Sequence, residues 1–174
     1  LVGKKVDKFY FAKDESRDAI FKIKEDLFKK LDLDPSKIRD KKVVRIERAD
    51  MNRISVKLPD KEFDFAKGSD DKWKVEKPDA QKGKKVLEYK IFWPLEDLEG
   101  KDLIDNANWK DSKYGFGKPA AEIQLTSKDK KLTDVVFGKI EDDRVYARTN
   151  NSETIYRVDK KVLDDLNFKM DDIV

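Results

Sequence analysis

Carboxylates are the most abundant reactive groups in this chain. Glu96-Asp97 and Asp171-Asp172 each set two of them side by side. Two facing carboxylates are what a glycoside hydrolase needs for general acid and base work. With 37 Asp and Glu among 174 residues, however, adjacent pairs arise throughout, and no spacing singles one out. Asp102, Asp105 and Asp111 do not have the spacing of a calcium loop. Gly115-Phe116-Gly117-Lys118 invites a phosphate-loop reading. It lacks the Gly-x-x-x-x-Gly-Lys-Ser/Thr spacing, and Pro119 and a strand pattern follow where a helix is required, so it reads as a turn entering a strand. Trp73, Trp93, Trp109 and Tyr114 could line a sugar or peptide groove by stacking. Trp73 sits in strand alternation and reads as core. Trp109 and Tyr114 lie in a polar loop and are the candidate ligand-binding residues. Asn150-Asn151-Ser152 fits a glycosylation sequon, but a turn accounts for it equally well.

The chain has no cysteine and no histidine. That removes disulfides, thiol nucleophiles, Cys- or His-based metal sites and His-assisted triads. No cofactor or metal is expected. The 40 Lys and Arg are nearly cancelled by the acidic residues, leaving a net charge of +3. Their signs alternate along the chain, as in Lys128-Asp129-Lys130-Lys131. A nucleic-acid binder gathers its cations on one face, so nucleic acid is not an expected partner. No stretch approaches the ~18 apolar residues of a membrane span.

Loop residues must be placed by regular elements, and the pattern supplies these. Ile54, Val56 and Leu58 alternate with Arg53, Ser55 and Lys57, the signature of a strand with one buried face. With Val44 and Ile46 before it, and Phe63, Phe65, Trp73 and Val75 after, residues 43–75 read as an antiparallel meander of about four strands. From Lys84 to Ile104 the spacing of Val86, Leu87, Ile91, Leu95 and Leu98 becomes helical, with Pro94 breaking or kinking the helix. Residues 105–117 read as a loop. Ala121, Ile123 and Leu125 then alternate with Glu122, Gln124 and Thr126, and Leu132–Phe137 gives another strand. Strands in runs joined by short turns argue for an α+β fold with antiparallel β-sheets and a few short helices.

The chain also repeats itself. Residues 1–39 align without a gap with residues 136–174. Leu1-Val2-Gly3-Lys4 matches Val136-Phe137-Gly138-Lys139, and Tyr10-Phe11-Ala12-Lys13 matches Val145-Tyr146-Ala147-Arg148. Ile20-Phe21-Lys22-Ile23 matches Ile155-Tyr156-Arg157-Val158. Leu27, Phe28 and Leu31 match Val162, Leu163 and Leu166, while Leu33 and Ile38 match Phe168 and Ile173. Each copy reads as a strand, a hairpin and an amphipathic helix. Asp159 can cap the second helix, and Asp34-Pro35-Ser36 is a cap with Pro at the first helical position. The copies lie a domain's length apart, not the roughly 20–50 residues of a solenoid. Residues 1–41 are therefore expected to be the tail of a preceding unit and residues 42–174 one complete unit.

Together these residues resemble the bacterial domain-of-unknown-function family 4340. Tyr114-Gly115-Phe116-Gly117-Lys118-Pro119-Ala120-Ala121-Glu122-Ile123 resembles its Tyr-Gly-Leu-x-x-Pro signature, with Phe116 in place of the usual Leu. Phe137-Gly138, Val145-Tyr146-Ala147-Arg148, Ile155-Tyr156-Arg157-Val158, and Trp73 through Pro78 resemble further elements in the same order. The resemblance implies repeat-containing, membrane-tethered, extracytoplasmic proteins encoded near ABC-type transporters. It implies no catalytic residue. The expected function is a non-enzymatic extracytoplasmic interaction module, held at a membrane by a segment outside this chain. Its expected partners are proteins, transporter subunits among them. A cell-wall glycan or peptide binder using Trp109 and Tyr114 is the alternative, and a carboxylate-dependent hydrolase a further one.

Overall fold

The computed structural model describes residues 2–16, 18–31 and 39–174. The expectations for Leu1, Leu33, Asp34-Pro35-Ser36 and Ile38 lie outside them. The chain divides into two compact units, residues 1–40 and 41–174.

In the first unit β1 (Val2–Val6), β2 (Phe9–Lys13) and β3 (Ile20–Lys24) form an antiparallel sheet in sequential order. The helix α1 (Glu25–Leu31) follows directly. Its Phe28 stacks on Tyr10 of β2, ring centroids 3.8 Å apart. Glu25 at its start accepts from Lys5 at 2.9 Å and Lys29 at 3.2 Å, a carboxylate at the end of the helix that favours negative charge.

The second unit is an eight-stranded antiparallel sheet. Its strands are β4 (Met51–Lys57), β5 (Glu62–Lys67), β6 (Trp73–Lys77), β7 (Asp102–Ile104), β8 (Ala121–Ser127), β9 (Leu132–Glu141), β10 (Arg144–Thr149) and β11 (Ile155–Asp159). They lie in the order β6-β5-β4-β8-β9-β10-β11-β7. Three short helices accompany them: α2 (Glu88–Glu96), α3 (Lys161–Leu166) and α4 (Met170–Ile173). The fold is α+β with antiparallel sheets.

The period-2 pattern explains the two cores. On β8 Ala121, Ile123 and Leu125 are buried while Glu122 and Gln124 are exposed. Adjacent residues point to opposite faces. Phe137, Ala147, Tyr156 and Val158 thus enter the main core with Ile91, Phe92 and Leu95 of α2. Val136, Tyr146 and Ile155 enter a smaller cluster on the other face, under Tyr114 and Phe116.

Two elements differ from expectation. Val43 and Val44 are buried but form no strand; the Val43 N–H donates to the Leu98 carbonyl at 3.0 Å instead. The meander is three strands, because this apolar run is tied to the chain beyond α2. The helix is also shorter than 84–104. Pro94 lies inside α2, and the chain past Glu96 turns into the short edge strand β7. Asp159 Oδ1 accepts from the Lys161 N–H at 3.0 Å, but the residue at the N-cap of α3 is Lys160, which makes no side-chain cap hydrogen bond.

Candidate functional site

The loop between β7 and β8 contains both candidate aromatics. Its first bend uses Asn106 in the left-handed region, φ 53°, where Asn is well tolerated. Asn108 Oδ1 accepts from the Lys110 N–H at 3.2 Å. Asp111 Oδ1 accepts from the Lys113 N–H at 3.0 Å and caps a 3₁₀ turn over Ser112–Tyr114. That hydrogen bond, joined by the Lys113 side chain, holds the Asp111 carboxyl below its usual value. Gly115, φ 73°, reverses the chain.

The loop sends its two aromatics opposite ways. Tyr114 is 4% exposed. Its ring meets Tyr146 edge-on at 5.2 Å and lies 6.1 Å from Phe116. It is a packing residue that fastens the loop to the sheet, and its ring is not presented to a ligand. Trp109 is 43% exposed. The Arg148 guanidinium stacks on its indole 4.1 Å from the centroid and reaches Phe116 at 5.6 Å. Arg148 Nε is buried without a hydrogen-bond partner, so stacking holds this cation in place. Trp93, on α2, is also exposed, with Lys161 Nζ 5.2 Å from its ring. Trp73 is core, edge-on to Phe92 at 5.1 Å.

Trp109 and Arg148 form one wall of a groove of about 770 Å³, with Asn106, Asn108, Asn151 and Glu153 among its other lining residues. Thr149, Asn151 and Ser152 also border a second cleft of about 740 Å³, walled by Val43, Val44 and Lys128. The β10–β11 turn therefore separates two adjoining recesses. Asn150 fixes that turn: its Oδ1 accepts from the Asp134 N–H at 3.1 Å, and its Nδ2 donates to the Leu132 carbonyl at 3.3 Å. The groove offers an aromatic face, amides, one carboxylate and one guanidinium. That set has the chemistry to bind by stacking and hydrogen bonding.

The paired carboxylates are placed elsewhere. Glu96 receives a two-pronged hydrogen bond from Arg48, which holds its carboxyl below the usual range. Asp97 is exposed, 3.8 Å from Lys42. Asp171 and Asp172 are exposed in α4. Among the described residues no cluster of acidic residues could hold a metal ion, and no helix is long and apolar enough to cross a membrane.

Sequence reasoning missed Arg148, which had appeared only as a match within the repeat. Its signal was available: an arginine on an alternating strand, two residues beyond Tyr146 and hence on the same face, beside an aromatic loop.

A family model described as Domain of unknown function (DUF4340) matches the chain twice, over residues 1–112 and 89–174. No curated protein and no solved structure matches it.

Proposed function

The chain belongs to the DUF4340 family, and from that premise we propose that it is a non-enzymatic interaction module. It binds a protein partner outside the cytoplasm, as an accessory of a membrane transporter complex of the ABC type. The observation that carries the binding role is the groove wall of Trp109 and Arg148, an exposed indole held by a stacked guanidinium above amide-bearing residues. Large aromatics and arginine at a recessed surface are the usual anchors of an interface. The location and the transporter partner are supported by the family resemblance of the motifs.

Three of the ion-paired carboxylates are not poised as general acids. Glu25, Glu96 and Glu141 lie below their usual values through hydrogen bonds from Lys5, Arg48 and Lys139 respectively. A general acid needs the opposite displacement. Glycan binding is the second reading, favoured by the exposed Trp109 ring beside four asparagines.

The test is capture of transporter subunits by the full natural protein from detergent-solubilised membranes, and by its Trp109→Ala variant. Retention by the parent and at least roughly tenfold weaker retention by the variant are expected, since a central anchor is worth ~2 kcal/mol or more. Equal capture refutes the groove's role, and exposure of this segment to the cytoplasm in a protease-accessibility assay refutes the location. Retention on immobilised cell-wall glycan, lost in the same variant, replaces the protein partner with the glycan.

A further inference from the structure

The repeat extends from the sequence into the backbone. β3 and β11 cover corresponding residues, Ile20–Lys24 and Ile155–Asp159. The hairpin pairs Val6↔Phe9, Lys5↔Tyr10 and Val2↔Ala12 recur as Glu141↔Arg144, Ile140↔Val145 and Phe137↔Ala147, with a register shift in the same interval. Both hairpins turn on a left-handed aspartate, Asp7 at φ 54° and Asp142 at φ 55°. Corresponding backbone bonds close the strand-to-helix corner, Glu25 N–H to Lys8 O and Lys160 N–H to Asp143 O, each at 3.0 Å.

Burial is not repeated. Ile155 is 1% exposed and its counterpart Ile20 69%; Phe137 is 0% and Val2 52%; Val162 is 5% and Leu27 50%. In the second unit, residues 41–135 supply covering groups for these positions. Tyr114 and Phe116 lie over Ile155, α2 packs against α3, and β7 pairs with the outer edge of β11. Among the described residues β3 has no strand on that edge.

The glycines agree. A Cβ on Gly138 would land on the Tyr114 carbonyl oxygen of the overlying loop. A Cβ on its counterpart Gly3 would meet only the Phe11 carbonyl oxygen, at 3.3 Å. Gly3 therefore has the residue type of a loop seat with no loop upon it.

We infer that residues 1–40 are the closing segment of a further domain of this fold, whose two faces and open β3 edge seat a segment folded like residues 41–135, joined ahead of them in the same polypeptide. A face-to-face dimer would cover one side of the three-stranded sheet. The counterpart residues are covered on both faces and along the β11 edge, and only a domain-sized segment does that. The family model matches the chain twice over overlapping ranges, residues 1–112 and 89–174, as a chain with an internal repeat would.

The test adds a second copy of residues 41–135 directly ahead of residue 1, because residue 135 precedes the counterpart of residue 1 in the alignment. Amide hydrogen exchange is followed over residues 9–13 and 20–24 in the 174-residue chain and in the fusion. Exchange is expected to slow at least roughly tenfold in the fusion. Gly3→Val is expected to reverse that gain by more than any change it makes in the unextended chain, where its Cβ meets the Phe11 carbonyl oxygen. A matched fusion, with residues 136–174 in place of residues 1–39 behind the added segment, supplies the reference for a completed unit. Protection there but not in the test fusion overturns the inference. So does a concentration-dependent dimer of the unextended chain that already protects β1 to β3, which would make a second copy the occupant.

Discussion

Replacing Gly138 with alanine tests how the aromatic loop is seated. Gly138 lies within β9, where glycine is ordinarily unfavourable. A Cβ there would land on the Tyr114 carbonyl oxygen and lie 2.9 and 3.0 Å from two ring carbons of Phe116. Across the contact, a Cβ on Gly115 would come within 2.6 Å of the Lys139 backbone nitrogen. Two backbones touch here, and neither gives way easily. β9 is held by β8 on one side and β10 on the other, and the loop is pinned by buried Tyr114. Overpacking costs about 1–3 kcal/mol, and a clash with backbone belongs at the upper end. The reduced freedom of the unfolded chain returns about 0.4–1 kcal/mol. The expected net loss for Gly138→Ala is therefore about 2 kcal/mol, a fall in Tm of roughly 4–10 °C for a unit of this size. Gly115→Ala adds the left-handed penalty of about 1–2 kcal/mol to its own clash and should lose more. Gly117, with no atom within 4 Å of a built Cβ, is the control. Urea unfolding monitored by circular dichroism reads all three, with unchanged m values showing that the transition itself is the same. The double variant should lose less than the two single losses combined, since a loop already lifted clashes once. Gly138→Ala within about 0.5 kcal/mol of the parent would falsify the account of how the loop is held.

Other expectations concern the polar contacts. Asp64 is 2% exposed and accepts from Arg53 and from Ser55 Oγ, the latter at 2.9 Å; Asp64→Ala should cost about 2 kcal/mol in urea unfolding, toward the low end for a broken pair because Arg53 reaches solvent. The Glu96 carboxyl lies below its unfolded value of 4.5 because Arg48 hydrogen-bonds it, so its contribution is complete above that pH and fades as pH falls through the lower folded value. Glu96→Gln should lower Tm at pH 7 and flatten the acid side of a Tm–pH curve; an acid side as steep as the parent's refutes this. Asn150→Ala removes the bonds that join the β10–β11 turn to β9 and should cost about 1–2 kcal/mol by thermal melting.

The strands were legible where one face is dry. Ile54 and Val56 on β4, and Ala121, Ile123 and Leu125 on β8, alternate because one face meets the main core. Such alternation reports burial directly. Val43 and Val44 misled for the same reason: they are buried, but by tertiary contact at the end of α2 rather than within the sheet. The helix boundary was illegible because Val86, Leu87 and Leu98 continue a helical spacing that the backbone abandons outside Glu88–Glu96. At the site, Trp109 could be read as an aromatic among polar neighbours. Tyr114 could not be separated from it, since its burial depends on the loop folding back over Gly138. Those residues are far apart in the chain, and no local pattern links them.

The repeat is where sequence and structure together say more than either alone. Alignment pairs Ile20 with Ile155, two identical residues at the start of equivalent strands. Identical chemistry at identical backbone positions should reach similar burial if each copy had its whole environment. One is dry and the other mostly wet. Exposing an isoleucine instead of burying it forgoes about 1.5–3 kcal/mol. Val2 and Leu27 add to that cost in the same small unit. A three-stranded sheet with one helix has little other apolar burial to offset it. If residues 1–40 are the closing segment inferred above, their stability comes chiefly from the segment that covers them, whereas residues 41–174 carry their own core. Ile20→Asp separates the two cases. In the 174-residue chain it should leave the main unfolding transition within about 0.5 kcal/mol, as a surface change does. Ile155→Asp should collapse that transition, because it buries a charge under Tyr114 and Phe116. Equal losses for the two would mean that the copies share one core, and the division of the chain into a closing segment and a self-sufficient unit would be wrong.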